Sequence, residues 1–182
     1  YSFKSPTITI FGGTGFLGRY IVNRLAKLGY IINIVTRFPN EAIFLKTSGN
    51  VGQINFLKGS FSNISKLSNA LASSEIVINC VGILNEGKNQ KFRQIHSDAP
   101  EKLAILAKKV GVKKFIHISS IGADEKSESN YAKSKGIGEI KILNAFPDAI
   151  ILRPSIVFGS EDQFFNLFSQ ICCISPILPI VG

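Results

Sequence analysis

The sequence predicts an α/β protein built on a doubly wound parallel sheet. Three observations carry that expectation. Short β-branched runs alternate six times with stretches of helical apolar spacing. A glycine-rich turn separates the first such run from the first helical stretch. Finally, hydrophobic residues make up 45% of the 182-residue chain and charged residues only 18%, which provides for one buried core and excludes a disordered or fibrous chain.

The elements follow in order. Thr7-Ile8-Thr9-Ile10-Phe11 is β-branched and apolar, the pattern of a buried strand. Leu17, Ile21, Leu25 and Leu28 recur at helical spacing, and Gly29 closes that helix. Ile31 to Val35 is a second strand, after which Pro39 and Asn40 break the chain. Ile54 to Leu57 is a short third strand, and Ile64, Leu67 and Leu71 mark a short helix. Glu75 to Val81 is a fourth strand. Ala99, Leu103, Leu106 and Val110 form a helical stripe that ends at Gly111. Lys114 to Ser119 is a fifth strand, Ala123–Asn130 a polar loop, and Tyr131 to about Asn144 a helix. Ala149 to Val157 is a sixth strand with Pro154 near its end. Parallel strands joined by right-handed crossovers place helices on both faces of the sheet.

Residues 1–160 are expected to form the principal domain, and 161–182 to begin an incomplete substrate-side part. The chain opens on Tyr1 and holds no Met, so its natural start is expected to lie upstream. The apolar tail Ile171–Val181 is interrupted by Pro176 and Pro179, and no run reaches the ~18 residues needed to span a bilayer. At most peripheral membrane association is expected. Three cysteines, Cys80, Cys172 and Cys173, are too few for a disulfide framework and fit a reducing compartment.

The net charge is +9, distributed unevenly. Residues 1–74 hold eight Lys or Arg against the single acid Glu41, whereas residues 75–182 hold thirteen against eleven. Such a field favours an anionic partner. Nucleic acid is not expected, because there is no basic run and no basic stripe interleaved with aromatics.

The turn itself reads Gly12-Gly13-Thr14-Gly15-Phe16-Leu17-Gly18, with glycines spaced GxxGxxG between a strand and a helix. In that context Gly12 permits a tight turn, Gly15 lets the backbone approach a pyrophosphate, and Gly18 lets the helix pack close. Gly12, Thr14, Gly15, Phe16, Leu17 and Gly18 are therefore candidate nucleotide-binding residues, with free amides and the helix dipole facing the anion. A dinucleotide site commonly carries an acid at the end of the second strand for the ribose 2′-hydroxyl. This chain has Thr36-Arg37 there, so Arg37, with Arg19 assisting, is the candidate partner of a 2′-phosphate. The expected cofactor is NADP(H), with NAD(H) as the alternative.

Tyr131-Ala132-Lys133-Ser134-Lys135 puts Tyr131 and Lys135 four residues apart, on one face of a helix. Ser119 and Ser120 end the fifth strand, at the edge where open parallel sheets bind ligands. A lysine ammonium favours the ionised phenol, and a tuned tyrosine passes a proton to or from a carbonyl or alcohol oxygen while a nicotinamide carries hydride. A serine hydroxyl polarises the same oxygen. YxxxK alone is common by chance; its place downstream of the glycine turn and Ser120 makes it informative.

GGTGFLG at 12–18, ISS at 118–120, YAKSK at 131–135 and LRPSIVFG at 152–159 together resemble the short-chain dehydrogenase/reductase superfamily, in its extended or atypical branch. The segments GGTGFLGRY, 12–20, and FPDAIILRPSIVFGSEDQFFNLF, 146–168, look most like the dehydrogenase-like accessory subunits of respiratory complex I (NADH:ubiquinone oxidoreductase) and their bacterial relatives. The resemblance implies a Rossmann fold and places Ser120, Tyr131 and Lys135 as a catalytic triad, with Lys135 also touching the cofactor. It implies that Cys80, Val81 and Gly82 lie beside the adenosine ribose and Pro154 near the nicotinamide carboxamide. Where relatives carry an Asp against adenine this chain has Gly59-Ser60, so either Ser60 takes that place or the contact is absent. Eleven residues from Ser120 to Tyr131 is shorter than in many sugar-nucleotide epimerases, which argues against a nucleotide-sugar substrate.

Two functions follow from this reading. One is an NADP(H)-dependent oxidoreductase or epimerase-type enzyme using the triad. The other is a non-catalytic, nucleotide-holding accessory or assembly subunit of respiratory complex I. Expected partners are thus a nicotinamide dinucleotide and respiratory complex subunits. The expected location is cytoplasmic or on the mitochondrial-matrix side, peripheral to the inner membrane. No metal is expected, since no His/Cys/Asp spacing suits one. His96 reads as isolated and His117 as a packed strand histidine. Cys80 lacks a base that would make it a nucleophile, and Cys172 and Cys173 suit burial. Asp124, Glu125 and Glu128 read as solvated surface and Glu139 as structural.

Overall fold

A computed structural model describes residues 5–88, 90–162 and 166. Six strands form one sheet: β1 (Thr7–Phe11), β2 (Ile31–Thr36), β3 (Ile54–Lys58), β4 (Ile76–Asn79), β5 (Lys114–Ile118) and β6 (Ile150–Leu152). Their order is β3-β2-β1-β4-β5-β6, and every pairing is parallel. That order reverses between β1 and β4, so a crevice opens at their carboxyl ends. The expected doubly wound sheet is what the chain forms.

Among the described residues four α-helices flank it: α1 (Phe16–Lys27), α2 (Ser68–Ala72), α3 (Ala99–Lys109) and α4 (Asn130–Ala145). Strand alternation divides the core in two. Ile8, Ile10, Ile32 and Ile34 pack with Val22 and Ala26 of α1. Phe11, Val77 and Phe115 turn the other way and pack with Leu103 of α3 and Ile142 of α4. Lys141 ties these two helices by hydrogen bonds of 2.8 Å to both Asp98 and Glu101.

The boundaries differ from expectation in instructive places. The sixth strand ends at Leu152 rather than Val157: Pro154 cannot donate to a ladder, and its carbonyl instead accepts the Ile121 N–H at 2.8 Å. The fourth strand stops at Asn79 and the fifth at Ile118, two and one residues short of expectation; Val81, two residues after β4, lines the crevice. Beyond Pro39 the chain does not simply break. Pro39–Ser48 forms a 3₁₀ helix with proline at its first turn, burying Ala42 and Leu45. A second 3₁₀ segment, Phe61–Leu67, leads into α2, and a π-helical turn, Arg93–Asp98, leads into α3. No helix among the described residues is long and apolar enough to cross a membrane. Cys172 and Cys173 lie outside the described residues.

Candidate nucleotide site

The glycine turn is shaped by two separate demands. Gly12 has φ +77°, and a Cβ there would lie 2.9 Å from the Cys80 carbonyl carbon. A Cβ on Gly18 would lie 2.0 Å from the Gly12 carbonyl oxygen. The fold therefore requires glycine at both positions. Gly15 is different. Its φ of −73° suits any residue, and a Cβ would meet only the Gly12 oxygen, at an ordinary 3.4 Å. Protein packing gives no reason for glycine at 15.

Beside the turn lies an open cleft of about 1100 Å³ at the carboxyl ends of β1, β2, β3 and β4. Gly12, Thr14, Arg37, Ser60 and Val81 all line it. The exposed Arg37 lies over the Phe38 ring at 5.6 Å. Arg19 lies over Phe44 at 5.4 Å and donates to the Thr14 carbonyl at 3.4 Å, and its buried Nε has no partner among the described residues. Sequence reasoning missed Glu41, which the first 3₁₀ helix carries back to the same cleft as Arg37. The signal was Pro39 as a helix start rather than a break.

Cys80 and Gly82 follow β4. Burial pushes the Cys80 thiol up to about 12, partly offset by Lys135, so it is not a thiolate at neutral pH. Gly82 lies against Lys135: a Cβ there would be 3.3 Å from Nζ.

The remaining candidates converge from three elements. Ser119 and Ser120 follow β5, and both hydroxyl oxygens are buried with no hydrogen-bond partner among the described residues. Tyr131 and Lys135 project from one face of α4, with Lys135 Nζ 6.0 Å from the Tyr131 ring centre. Nζ donates to the Ile118 carbonyl at 3.4 Å, which brings it to the end of β5, two residues before Ser120. Lys135 is only 4% exposed. Burial lowers its pKa to about 8, with Glu139 and Cys80 acting to raise it, so it stays largely protonated at neutral pH. Pro154 lies beyond β6, in a segment that then crosses the start of α1: Gly159 comes against the Phe16 ring, and the Tyr20 hydroxyl donates to the Glu161 carboxylate.

His96 is the residue the sequence hid most completely. It is not isolated but fully buried at the centre of this junction. The Ile83 N–H donates to its Nε2 at 3.1 Å, so Nδ1 carries the proton and donates to Ser134 Oγ at 2.9 Å. Ser134 in turn donates to the Tyr131 carbonyl at 2.8 Å. The imidazole stacks on Phe92 and meets Tyr131 edge-on, with ring centres 5.4 Å apart. Burial, then the Lys135 charge, pushes its pKa down to about 4. His117 is packed as expected: Asn79 accepts from the Val81 N–H, so its amide nitrogen donates to His117 Nδ1 at 3.1 Å. Its Nε2 has no partner among the described residues, and burial pushes the ring down to about 3. Asp124, Glu125 and Glu128 are exposed, in keeping with a solvated loop.

The sequence profile of the NAD dependent epimerase/dehydratase family matches residues 8–168. The chain belongs to that family. Among curated relatives it is 39% identical, over 93% of its length and 45% of theirs, to the mouse protein named NADH dehydrogenase [ubiquinone] 1 alpha subcomplex subunit 9, mitochondrial. It is 31% identical to a ceramide reductase of Caulobacter vibrioides, over 96% of this chain and 54% of that protein. The chain thus spans about half the length of these relatives. Among solved structures, the Bordetella bronchiseptica enzyme WbmH in complex with NAD+ superposes with a TM-score of 0.78 at 15% identity, covering 94% of this chain and 64% of that one. A UDP-glucuronic acid 4-epimerase from Bacillus cereus, with UDP-glucuronic acid and NAD, gives 0.73 at 23%, covering 91% and 63%. These likenesses carry the fold, and the motif resemblance to dehydrogenase-like complex I subunits is matched by the curated relatives.

Proposed function

We propose that this chain is the nucleotide-holding part of a short-chain dehydrogenase-like protein, that it prefers NADP(H) to NAD(H), and that Ser120, Tyr131 and Lys135 form its proton-handling site. The observation that carries the reading is the contrast within the glycine turn. Packing accounts for Gly12 and Gly18, whereas the open approach at Gly15 has a use only if something else comes close to the backbone there. A pyrophosphate on the first amides of α1 fits that approach. Arg37 on the cleft wall favours a 2′-phosphate, and Ser60 and Val81 offer walls to the adenosine end.

The three side chains also suit their roles. A bound nicotinamide would supply or accept hydride. Lys135, cationic at neutral pH, holds ribose hydroxyls and lies 6.0 Å from the Tyr131 ring centre. Tyr131 delivers its proton to the oxygen of a carbonyl being reduced, and takes it back in the reverse direction. The partnerless Ser120 hydroxyl has its hydrogen free for that same oxygen.

A second reading has its own support. Relatives 39% identical bear the names of respiratory complex I subunits, so the whole protein is equally suited to a place in such a complex, peripheral to the inner membrane on the matrix or cytoplasmic side. Nucleotide holding is common to both readings. It is tested by titrating the purified chain with NADPH and with NADH, following cofactor emission. NADPH should bind more tightly; indifference to both refutes the proposal. Copurification of the full-length protein with a membrane complex, together with loss of that complex when Gly15 is replaced, would select the accessory role.

A further inference from the structure

Glu139 is a buried carboxylate, its side chain 7% exposed, one helical turn beyond Lys135 on the same face of α4. Both of its oxygens are held by Arg153: Nε donates to Oε1 at 3.0 Å and to Oε2 at 3.1 Å, and Nη2 donates to Oε2 at 2.5 Å. Arg153 is the first residue after β6. The two residues around it are fixed as well, since the Leu152 carbonyl accepts the Ser119 N–H at 2.7 Å and the Pro154 carbonyl accepts the Ile121 N–H. The ion pair therefore joins three parts of the site: the helix bearing Tyr131 and Lys135, the turn bearing Ser119 and Ser120, and the segment bearing Pro154.

The charges around Lys135 add a second consequence. On its own helix it faces Tyr131 and Glu139; from the other elements it faces Cys80 after β4, His96 in the π-helical turn and His117 in β5. Burial keeps the thiol protonated and both imidazoles neutral near pH 7. Glu139 is the ionised group that favours the ammonium. Arg153 opposes it weakly, because its side chain is 53% exposed and water screens its charge, whereas the carboxylate acts through the interior.

We propose that Glu139 is a positioning residue for the nucleotide edge: its carboxylate holds the segment after β6 against α4 through Arg153, and places a counter-charge one helical turn from Lys135. This rests on the nucleotide reading for its use, but not for its test. The acetylation rate of Lys135 is measured from pH 6 to 10.5 by competitive labelling with acetic anhydride and mass spectrometry, in the wild-type chain and in the Glu139→Gln and Glu139→Asp variants. NADPH dissociation constants are measured over the same range. Gln keeps a hydrogen-bond acceptor for Arg153 but removes the charge, and Asp keeps the charge. In Glu139→Gln the midpoint for Lys135 should fall by about one pH unit, as for loss of a neighbouring opposite charge. NADPH affinity should then begin to fall about one unit lower in pH than in the wild type, with the two proteins agreeing within about twofold at pH 6. Glu139→Asp should restore the wild-type profile. An unmoved Lys135 midpoint in a folded Glu139→Gln protein overturns the proposal. So does a Glu139→Asp variant that is folded but behaves as Glu139→Gln. If no protein binds NADPH at any pH, the nucleotide reading fails, and the labelling profile still decides the role of Glu139.

Discussion

Replacing Gly15 and Gly18 by alanine, one at a time, separates what the fold requires from what a ligand requires. At Gly18 the new Cβ would stand 2.0 Å from the Gly12 carbonyl oxygen. Both partners are backbone, so no rotamer change relieves the overlap, and α1 must shift from the turn. Overpacking costs ~1–3 kcal/mol and occasionally more; a backbone clash belongs at the top of that range. For a chain of this size each kcal/mol lowers Tm by ~2–4 °C, so Gly18→Ala should lose about 6–12 °C. At Gly15 the new methyl meets one atom at 3.4 Å in permitted backbone. Alanine is the poorer N-cap but loses less chain entropy on folding, and the two effects are each below ~1 kcal/mol and opposed. Gly15→Ala should therefore keep Tm within about 3 °C of the wild type. It should nevertheless weaken NADPH binding at least ~10-fold, since ~1.4 kcal/mol of lost phosphate contact is enough. Thermal unfolding and cofactor-emission titration on the same samples read both quantities. A Gly15→Ala protein as stable as the wild type and as tight for NADPH would remove the main support for a pyrophosphate at this turn.

Other outcomes follow from the same geometry. Arg37→Glu removes a charge-assisted contact worth ~1.5–3 kcal/mol, so NADPH affinity should drop about 10- to 100-fold while NADH affinity changes far less; equal losses would show that Arg37 does not read the 2′-phosphate. Tyr131→Phe should keep NADPH affinity within about twofold yet cut carbonyl-dependent NADPH oxidation by ~10²–10⁴-fold, read as loss of absorbance with a panel of carbonyl compounds. Undiminished oxidation would remove Tyr131 from the proton path. The buried histidines set an acid limit: their folded pKa values, about 4 and about 3, lie below the unfolded value near 6.5, so the unfolded chain binds more protons as pH falls from 6.5 and stability declines across that window. His117→Asn, which removes one of these groups, should lower the midpoint of acid unfolding followed by circular dichroism; an unchanged midpoint would mean that His117 is not held neutral by the fold.

The sheet was legible because parallel strands buried on both faces read as unbroken β-branched runs, and because glycines at 29 and 111 close the helices where periodicity stops. Strand ends were less legible. Cys80 and Val81 just beyond β4 remain apolar, yet they lie outside the strand and Val81 lines the crevice, and apolar character alone does not distinguish the two situations. The site candidates that belong to contiguous motifs fell together at one sheet edge. Pairings between separate elements are another matter: the partners of His96 are at 83, 92, 131 and 134, and the buried ion pair joins 139 to 153. Such contacts depend on how closely two elements approach. The one trace they left in the sequence was a pair of helix glycines with no turn to explain them.

Those glycines, Gly136 and Gly138, give α4 a particular character. A Cβ at 136 would lie 2.4 Å from the Glu125 amide nitrogen, and one at 138 would lie 1.9 Å from the His96 carbonyl oxygen. Each glycine costs a helix interior ~1 kcal/mol relative to alanine, so a peptide of residues 130–145 should be largely unstructured in water. The helix that carries Tyr131 and Lys135 exists because its neighbours are already in place. It should form late in folding and be among the first elements to exchange its amide protons when those neighbours loosen. Tyr131 and Lys135 should thus come together only in a completed fold.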